Sequence, residues 1–194
     1  MYLSNLSISQ PLMNENKIKK ISKHLSYVLR YKPEAIGLEL DNQGWARIND
    51  LMAKSPKNIT REILEHVVET NDKKRFIISE DGHKIRANQG HSIEVNLGLP
   101  PMLPPEILFH GTATRFIEPI LKDGLKKMSR QHVHLSADIE TAQKVGMRHG
   151  KSIILIVDTP AMVAAGYEYY LSKNGVWLTD HVPAKYLSKQ NEVG

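Results

Sequence analysis

Ser129-Arg130-Gln131-His132-Val133-His134-Leu135-Ser136 gathers an arginine, two histidines and a serine into eight residues of alternating character. Read as a short strand, it puts His132 and His134 on one face and Val133 and Leu135 on the other. A strand that buries one face has little reason to carry imidazoles on the opposite face unless that face lines a cleft. Upstream, Phe109-His110-Gly111-Thr112 repeats the chemistry: an imidazole at a strand end, then a flexible glycine and a hydroxyl. Together the two segments place a polar-ligand cleft in a strand-rich part of the chain.

Around them the pattern is one of short strands and short helices. Ile107 to His110 reads as a strand. Thr114 is placed to cap a helix carrying Phe116, Ile117, Ile120 and Leu121, with Pro119 in its first turn or at a kink and Gly124 as its end. A helix is expected from about Asp138 to Arg148, and the apolar run Ser152 to Val157 reads as a central strand. Tyr169–Leu171 and Val176–Leu178 flank Lys173-Asn174-Gly175, a hairpin pattern.

The N-terminal half is different. Ile18, Ile21, Leu25, Val28 and Leu29 recur at helical spacing, with lysines opposite, and Pro33 disfavours helical geometry at Lys32. The helix should therefore stop near Arg30 or Tyr31. After a Gly44-Trp45 turn, a short helix is expected over Asn49–Ala53, and Thr60 can cap another whose buried stripe is Ile63, Leu64, Val67 and Val68. Arg75–Ser79 and His83–Ala87 then alternate around Glu80-Asp81-Gly82, a hairpin signal. Helices followed by a basic hairpin have the look of a winged helix, although Lys73, Lys74, Arg75, Lys84 and Arg86 are equally the make-up of a solvated face. Four prolines between Leu97 and Glu106, without helical or strand period, mark a linker. The expected organisation is a tail over 1–15, a lobe over 16–95, a linker over 96–106 and a second lobe over 107–194.

Composition sets the outer limits. The chain has 194 residues, 41% of them apolar, no cysteine and a net charge of +5, with a pI near 9.3. That excludes disulfides and thiolate metal sites, and it favours an anionic partner. No apolar run reaches the roughly 20 residues of a membrane span, and Met1 to Asn16 lacks a signal-peptide layout. A cytoplasmic protein is expected. His110, His132 and His134 could supply three imidazoles to a metal, but no accompanying carboxylate set or His-Glu-x-x-His helix is present, so no metal is expected. Phosphate loops of the G-x-G-x-x-G and G-x-x-x-x-G-K-[ST] types are missing, as is a G-x-S-x-G nucleophile elbow.

A set of ordered motifs goes further. They are Leu25-Ser26-Tyr27-Val28-Leu29-Arg30, Lys32-Pro33, Gly37-Leu38, Asp41-x-x-Gly44-Trp45, Asp72-Lys73-Lys74-Arg75-Phe76 and Ile85-Arg86-Ala87-x-Gln89-Gly90-His91-Ser92. The second half continues with His110-Gly111-Thr112, Ser129-Arg130-x-His132-Val133-His134-Leu135-Ser136 and Asn174-Gly175-Val176-Trp177-Leu178. With these, from about Ile21 to Leu187, the chain resembles the NAD-dependent RNA 2′-phosphotransferases, which remove a 2′-phosphate from a spliced tRNA junction.

The resemblance implies an α+β enzyme with an N-terminal winged-helix, RNA-binding lobe and a C-terminal ADP-ribosyltransferase-like lobe that binds NAD. It implies that an internal 2′-phosphate displaces nicotinamide to give ADP-ribosylated RNA. The ribose 2″-hydroxyl then attacks the phosphorus, leaving 2′-hydroxyl RNA and ADP-ribose 1″,2″-cyclic phosphate, without metal. Arg30, Arg75 and Arg130 match three members of the family's catalytic tetrad. The fourth is histidine in the family pattern, and here it is Tyr31, which can donate a hydrogen bond but carries no charge. His110, His134 and Val176 match the family's ADP-ribosyltransferase triad, with Gly111, Thr112, Leu135 and Ser136 beside them as NAD contacts. Val176 stands where protein-modifying relatives of that fold carry glutamate, which argues against protein ADP-ribosylation. A monomer is expected. The rival expectations are ADP-ribosylation of phosphorylated nucleic-acid ends and a non-catalytic RNA-binding winged-helix protein.

Overall fold

A computed structural model describes residues 14–190. The expected N-terminal tail lies outside the described residues as far as position 13. Asn14 already caps a helix, its side chain accepting from the Asn16 N–H at 2.9 Å. That helix, α1 (Glu15–Arg30), ends where Pro33 requires, with Tyr31 as its cap. Strand β1 (Ala46–Arg47) leads into α2 (Ile48–Lys54), and Thr60 caps α3 (Arg61–Glu69) by accepting from the Ile63 N–H. Strands β2 (Phe76–Ile78) and β3 (Lys84–Ala87) form the expected hairpin, with Gly82 in left-handed geometry at φ 72°. Sequence reading had no place for β1. It pairs Ala46 with Ile85, so β3 lies mid-sheet in the order β1-β3-β2. The apolar stripes of the three helices close on this sheet around Leu25, Leu29, Leu51, Leu64 and Ile85.

The second half has its own core, around Leu108, Leu135, Leu155, Val157, Met162 and Tyr169. Strand β4 (Ile107–Ala113) leads through a 3₁₀ turn to α4 (Ile117–Asp123). Thr114 lies inside that turn and makes no capping bond, contrary to expectation; Pro119 falls in the first turn of α4, where its missing N–H costs nothing. Then come β5 (Leu125–Lys126), β6 (Val133–Leu135), α5 (Ile139–Gly146), β7 (Ser152–Asp158), α6 (Thr159–Ala164), β8 (Tyr170–Leu171), β9 (Trp177–Thr179), β10 (His181–Val182) and β11 (Leu187–Lys189). As its unbroken apolar run implies, β7 is central, flanked by β11 and by β4 in one sheet; β6-β9-β8 form a second sheet, and β10 pairs with β5.

The two larger sheets touch through one bridge, Phe109 with Ser136, each backbone N–H donating to the other's carbonyl at 2.8 Å. Beyond that pair β4 and β6 diverge. The proline segment is tied down at several points: Met102 N–H donates to the Tyr169 carbonyl at 2.8 Å, Asn96 N–H to the Asn42 carbonyl at 2.7 Å, and the Thr159 hydroxyl to the Pro105 carbonyl.

Helix α5 lies directly on β4. A Cβ on Gly111 would stand 1.6 Å from the Ala142 carbonyl oxygen, and one on Gly146 would stand 2.9 Å from that of Thr112. Gly111 is thus demanded by helix packing, whereas the resemblance had it as a ligand contact. Gly111→Ala must push α5 off the sheet. The expected loss is about 3 kcal/mol, the upper end of ordinary overpacking, read as a lower urea midpoint; an unchanged midpoint would mean that the helix moves freely.

Candidate active site

The site is assembled from the end of α1, the residues before β2 and β6, and the interiors of β4 and β6. Because α1 stops at Arg30, its guanidinium turns inward and is 8% exposed. Gly90 packs beside it; its φ of 85° is what favours glycine there, since a Cβ would meet the Arg30 Nη1 at 3.6 Å, an ordinary contact. The backbone after β3 holds this geometry. Asn88 N–H donates to the Arg75 carbonyl at 2.8 Å and Ser92 N–H to that of Arg30 at 3.0 Å. Arg75, just before β2, donates from Nη1 to the Asn71 Oδ1 at 3.3 Å, and the Asn71 amide donates to the Ser22 hydroxyl on α1 at 3.1 Å.

From the other half, Arg130 precedes β6 and donates from Nη1 to the His134 Nδ1 at 2.8 Å. His110, on β4, bonds through Nδ1 to the His134 carbonyl oxygen at 3.1 Å, across the gap where β4 and β6 part. These partners fix both tautomers. A carbonyl only accepts, so the His110 Nδ1 carries the proton and its Nε2 is left as an acceptor. A guanidinium only donates, so the His134 Nδ1 is bare and its Nε2–H is left as a donor.

Electrostatics agree. Burial, then Arg130, His132, Arg30 and His110, push the His134 pKa down to about 3. Burial lowers that of His110, with Arg130 adding to it and the His134 carbonyl opposing. Arg30 falls to about 10, through burial first; Arg75 and Arg130 act the same way and Tyr31 opposes. Burial also lowers Arg75, helped by Arg148 from the end of α5 and opposed by Asp72 and Tyr31. Arg30 is therefore within electrostatic reach of both Arg75, from its own half, and Arg130, from the other. None of Arg30, Arg75, Arg130 or Arg148 has a carboxylate salt-bridge partner among the described residues. The Arg30 Nε and Nη2 are buried and unpartnered. An unpaired buried guanidinium is costly, and a converging set of them is an anion site.

Comparison with known proteins gives this site its setting. The model of the family described as "RNA 2'-phosphotransferase, Tpt1 / KptA family" matches residues 16–181. A protein of Agrobacterium fabrum named "Probable RNA 2'-phosphotransferase" is 59% identical over 170 residues, covering 86% of this chain and 91% of its own. One of the same name from Flavobacterium johnsoniae is 58% identical over 178 residues, 90% of this chain and 98% of its own. A third, from Acaryochloris marina, is 55% identical over 175 residues, covering 89% and 97%. The chain belongs to the RNA 2′-phosphotransferase family.

The structure gathers Arg30, Arg75, Arg130, His110 and His134 of the family motifs. Tyr31 sits at the lip, 37% exposed. Leu135 does not face the cleft; its side chain is 1% exposed in the second core, on the face shared with Val133. Thr112 is buried on β4, Ser136 lies at the bridge, and Val176 is half-buried in the turn before β9.

Three residues near the site were not singled out from sequence. Arg148 and Lys73 come within electrostatic reach of each other across the two halves, and the Asn174 amide donates to the Lys73 carbonyl at 2.9 Å. His91 is buried with both ring nitrogens unpartnered, and burial, then Arg30, Arg86 and His132, bring its pKa down to about 4. Its carbonyl accepts from the Gln131 N–H at 3.1 Å. The Gly90-His91-Ser92 motif named the residue, but no local period distinguished it from a core histidine.

His91 and His134 stay neutral in the fold while the unfolded chain protonates near the reference value of about 6.5. Unfolded protein therefore binds more protons below that pH. Stability is fully present above about pH 7 and declines as pH falls toward 4, by about 1.4 kcal/mol per unit for each such histidine. Urea midpoints measured between pH 7.5 and pH 5 should fall accordingly; a flat profile would mean that neither imidazole is held neutral.

Proposed function

We propose that this family member moves an internal 2′-phosphate from RNA to NAD, and that Arg30, Arg75 and Arg130 are the groups that hold the phosphate. The observation that carries the reading is this set of carboxylate-free guanidiniums, contributed by both halves, beside the His110–His134 pair. The proposed domains are a winged-helix RNA lobe over 16–95 and an ADP-ribosyltransferase-like lobe over 107–194, joined through 96–106. The order α1-β1-α2-α3-β2-β3, with β3 central, supports the first. The two sheets parting after a single bridge support the second.

The residues fit NAD. The His110 Nε2 is an acceptor for a ribose hydroxyl, and the His134 Nε2–H is a donor to a ribose or phosphate oxygen. The bound dinucleotide supplies an electrophilic ribose carbon with nicotinamide as its leaving group. The 2′-phosphate, with a second pKa of about 6, is already dianionic at neutral pH, so the chain needs no strong base to activate it. Its work is to fix and neutralise that dianion, for which bidentate guanidiniums are suited. Arg130 also sets the His134 tautomer, linking phosphate grip to the nucleotide side. Tyr31 donates a hydrogen bond to the phosphate from the lip. Val176, apolar in its turn, offers no carboxylate to grip a ribose hydroxyl.

Protein incubated with labelled NAD and 2′-phosphorylated RNA should yield ADP-ribose 1″,2″-cyclic phosphate and 2′-hydroxyl RNA. Absence of both sinks the proposal. Arg130→Ala, at an exposed position, should keep the fold and lose about 100-fold or more in rate, the scale seen when one preorganised donor to a reacting oxyanion is removed. A wild-type rate in that variant would take Arg130 out of the site.

A second reading rests on Tyr31, which lacks the titratable imidazole of the family pattern. With phosphate release slowed, the chain would leave phosphorylated RNA ends capped by ADP-ribose. Time courses of RNA-linked ADP-ribose and cyclic phosphate separate the two. Tyr31→His is expected to speed release of the cyclic phosphate without changing nicotinamide release; equal second-step rates would show that Tyr31 is an adequate substitute.

A further inference from the structure

Beside the arginines a groove of about 890 Å³ runs between α1 and α3. Its floor is partly apolar, with Ile18 and Val67, and one end is formed by Tyr31 and Arg75. Along its α1 wall lie Lys19, Lys23, Tyr27 and Tyr31, each four residues after the last. On a helix that spacing makes one inclined ridge, spanning about 18 Å at 1.5 Å per residue. Lys19, Lys23 and Lys73 hold no carboxylate in a salt bridge among the described residues, and the acids lining the groove are Glu15 and Asp72. Tyr27 is 43% exposed, and among the described residues its ring has no aromatic or cationic partner.

We infer that this groove is the track for single-stranded RNA flanking the 2′-phosphorylated nucleotide, with Lys19 and Lys23 on backbone phosphates and Tyr27 stacked on an unpaired base. The inference rests on the reading of the chain as an RNA enzyme. Two ammonium groups, then the Tyr27 ring, leading in a line to Tyr31 and Arg75 at the proposed phosphate site match a strand that carries one phosphate per nucleotide and offers a base face to an exposed ring. A duplex hides those faces. An acidic peptide has no use for a tyrosine platform, and the ridge has room for only a few nucleotides. Ser22 and Ser26, also lining the groove, add hydroxyls at backbone height.

The test compares a 2′-phosphorylated dinucleotide with the same junction extended by several single-stranded nucleotides on its 5′ side, or on its 3′ side. For one of the two extensions the native chain should show a KM about tenfold lower than for the dinucleotide, with kcat unchanged, in keeping with 1–3 kcal/mol per stacked base. Lys19→Ala/Lys23→Ala and Tyr27→Ala should each abolish most of that gain while leaving dinucleotide turnover at the native level. Tyr27→Phe should retain it. The lysine pair should also flatten the salt dependence of log KM by about 1.4, at about 0.7 per cation for single strands. Equal KM for minimal and extended substrates in the native chain, equal losses on both in the variants, or an equal gain when the flanks are base-paired would overturn the track. If the dinucleotide itself does not turn over, it is the phosphotransfer reading that has failed. Fluorescence titration of the variants with unreactive single-stranded RNA then decides the track alone: weakened binding supports it and native binding refutes it.

Discussion

Arg30 is a guanidinium taken out of water without a counter-ion, and much of the surrounding structure follows from holding it there. Burying such a charge unpaired costs several kcal/mol. Part of that is offset by position. Arg30 is the last residue of α1, where the unsatisfied carbonyls carry partial negative charge. The remainder is visible in its neighbours. Gly90, held at φ 85° where an L side chain is strained, packs against the guanidinium, and the loop after β3 returns to bind the Arg30 carbonyl. His91 and His134 are driven neutral, in part by its charge. Cations that would repel one another are kept close, and imidazoles that could have added to the repulsion are kept uncharged.

That arrangement separates two jobs. Permanent positive charge belongs to arginines, whose protonation does not vary near neutral pH. Directional hydrogen bonding belongs to histidines whose tautomers are fixed by a carbonyl in one case and by Arg130 in the other. The residues proposed to hold the phosphate can thus work without competing for protons with those proposed to hold the nucleotide. It also explains why tyrosine can stand at position 31. The charge proposed to grip the phosphate lies elsewhere, so on that reading only a step needing a proton at that position feels the change.

How much of this could be read from the chain depends on length scale. Long periodic elements were legible: α1 from its apolar stripe and Pro33, the β2–β3 hairpin from Asp81-Gly82, β7 from its unbroken apolar run. Strands β1, β5, β10 and β11, of two or three residues and outside any hairpin or histidine pattern, were not, because alternation over so few residues has no statistical weight and pairing partners decide them. Thr114 had the right chemistry for a cap, but a 3₁₀ turn claimed it first. Gly111 was legible as important, but its packing demand was not, since only the placement of α5 reveals what it must avoid. Leu135 followed the alternation that placed His134 outward, and it was the resemblance, not the pattern, that put it in the cleft. The convergence of Arg148 on Arg75 has no local signature at all.

The boundary between the halves is held by few polar contacts, among them Gln131 to His91 and Asn174 to Lys73. Across it Arg148 faces Arg75 and Lys73, and Arg130 faces Arg30. Those pairs repel, so the native closure is worked against by its own unpaired charges. An anion between them reverses the sign of that contribution: each guanidinium gains a partner, and mutual repulsion becomes shared attraction. Any ligand that binds this closed form better than an opened one stabilises it by mass action. On the proposed reading, a phosphate dianion in the cleft therefore contributes twice, as the reacting group and as the counter-charge that lets the two halves sit together. A neutral substrate of the same shape would do neither, which makes charge, before shape, the first thing this site selects.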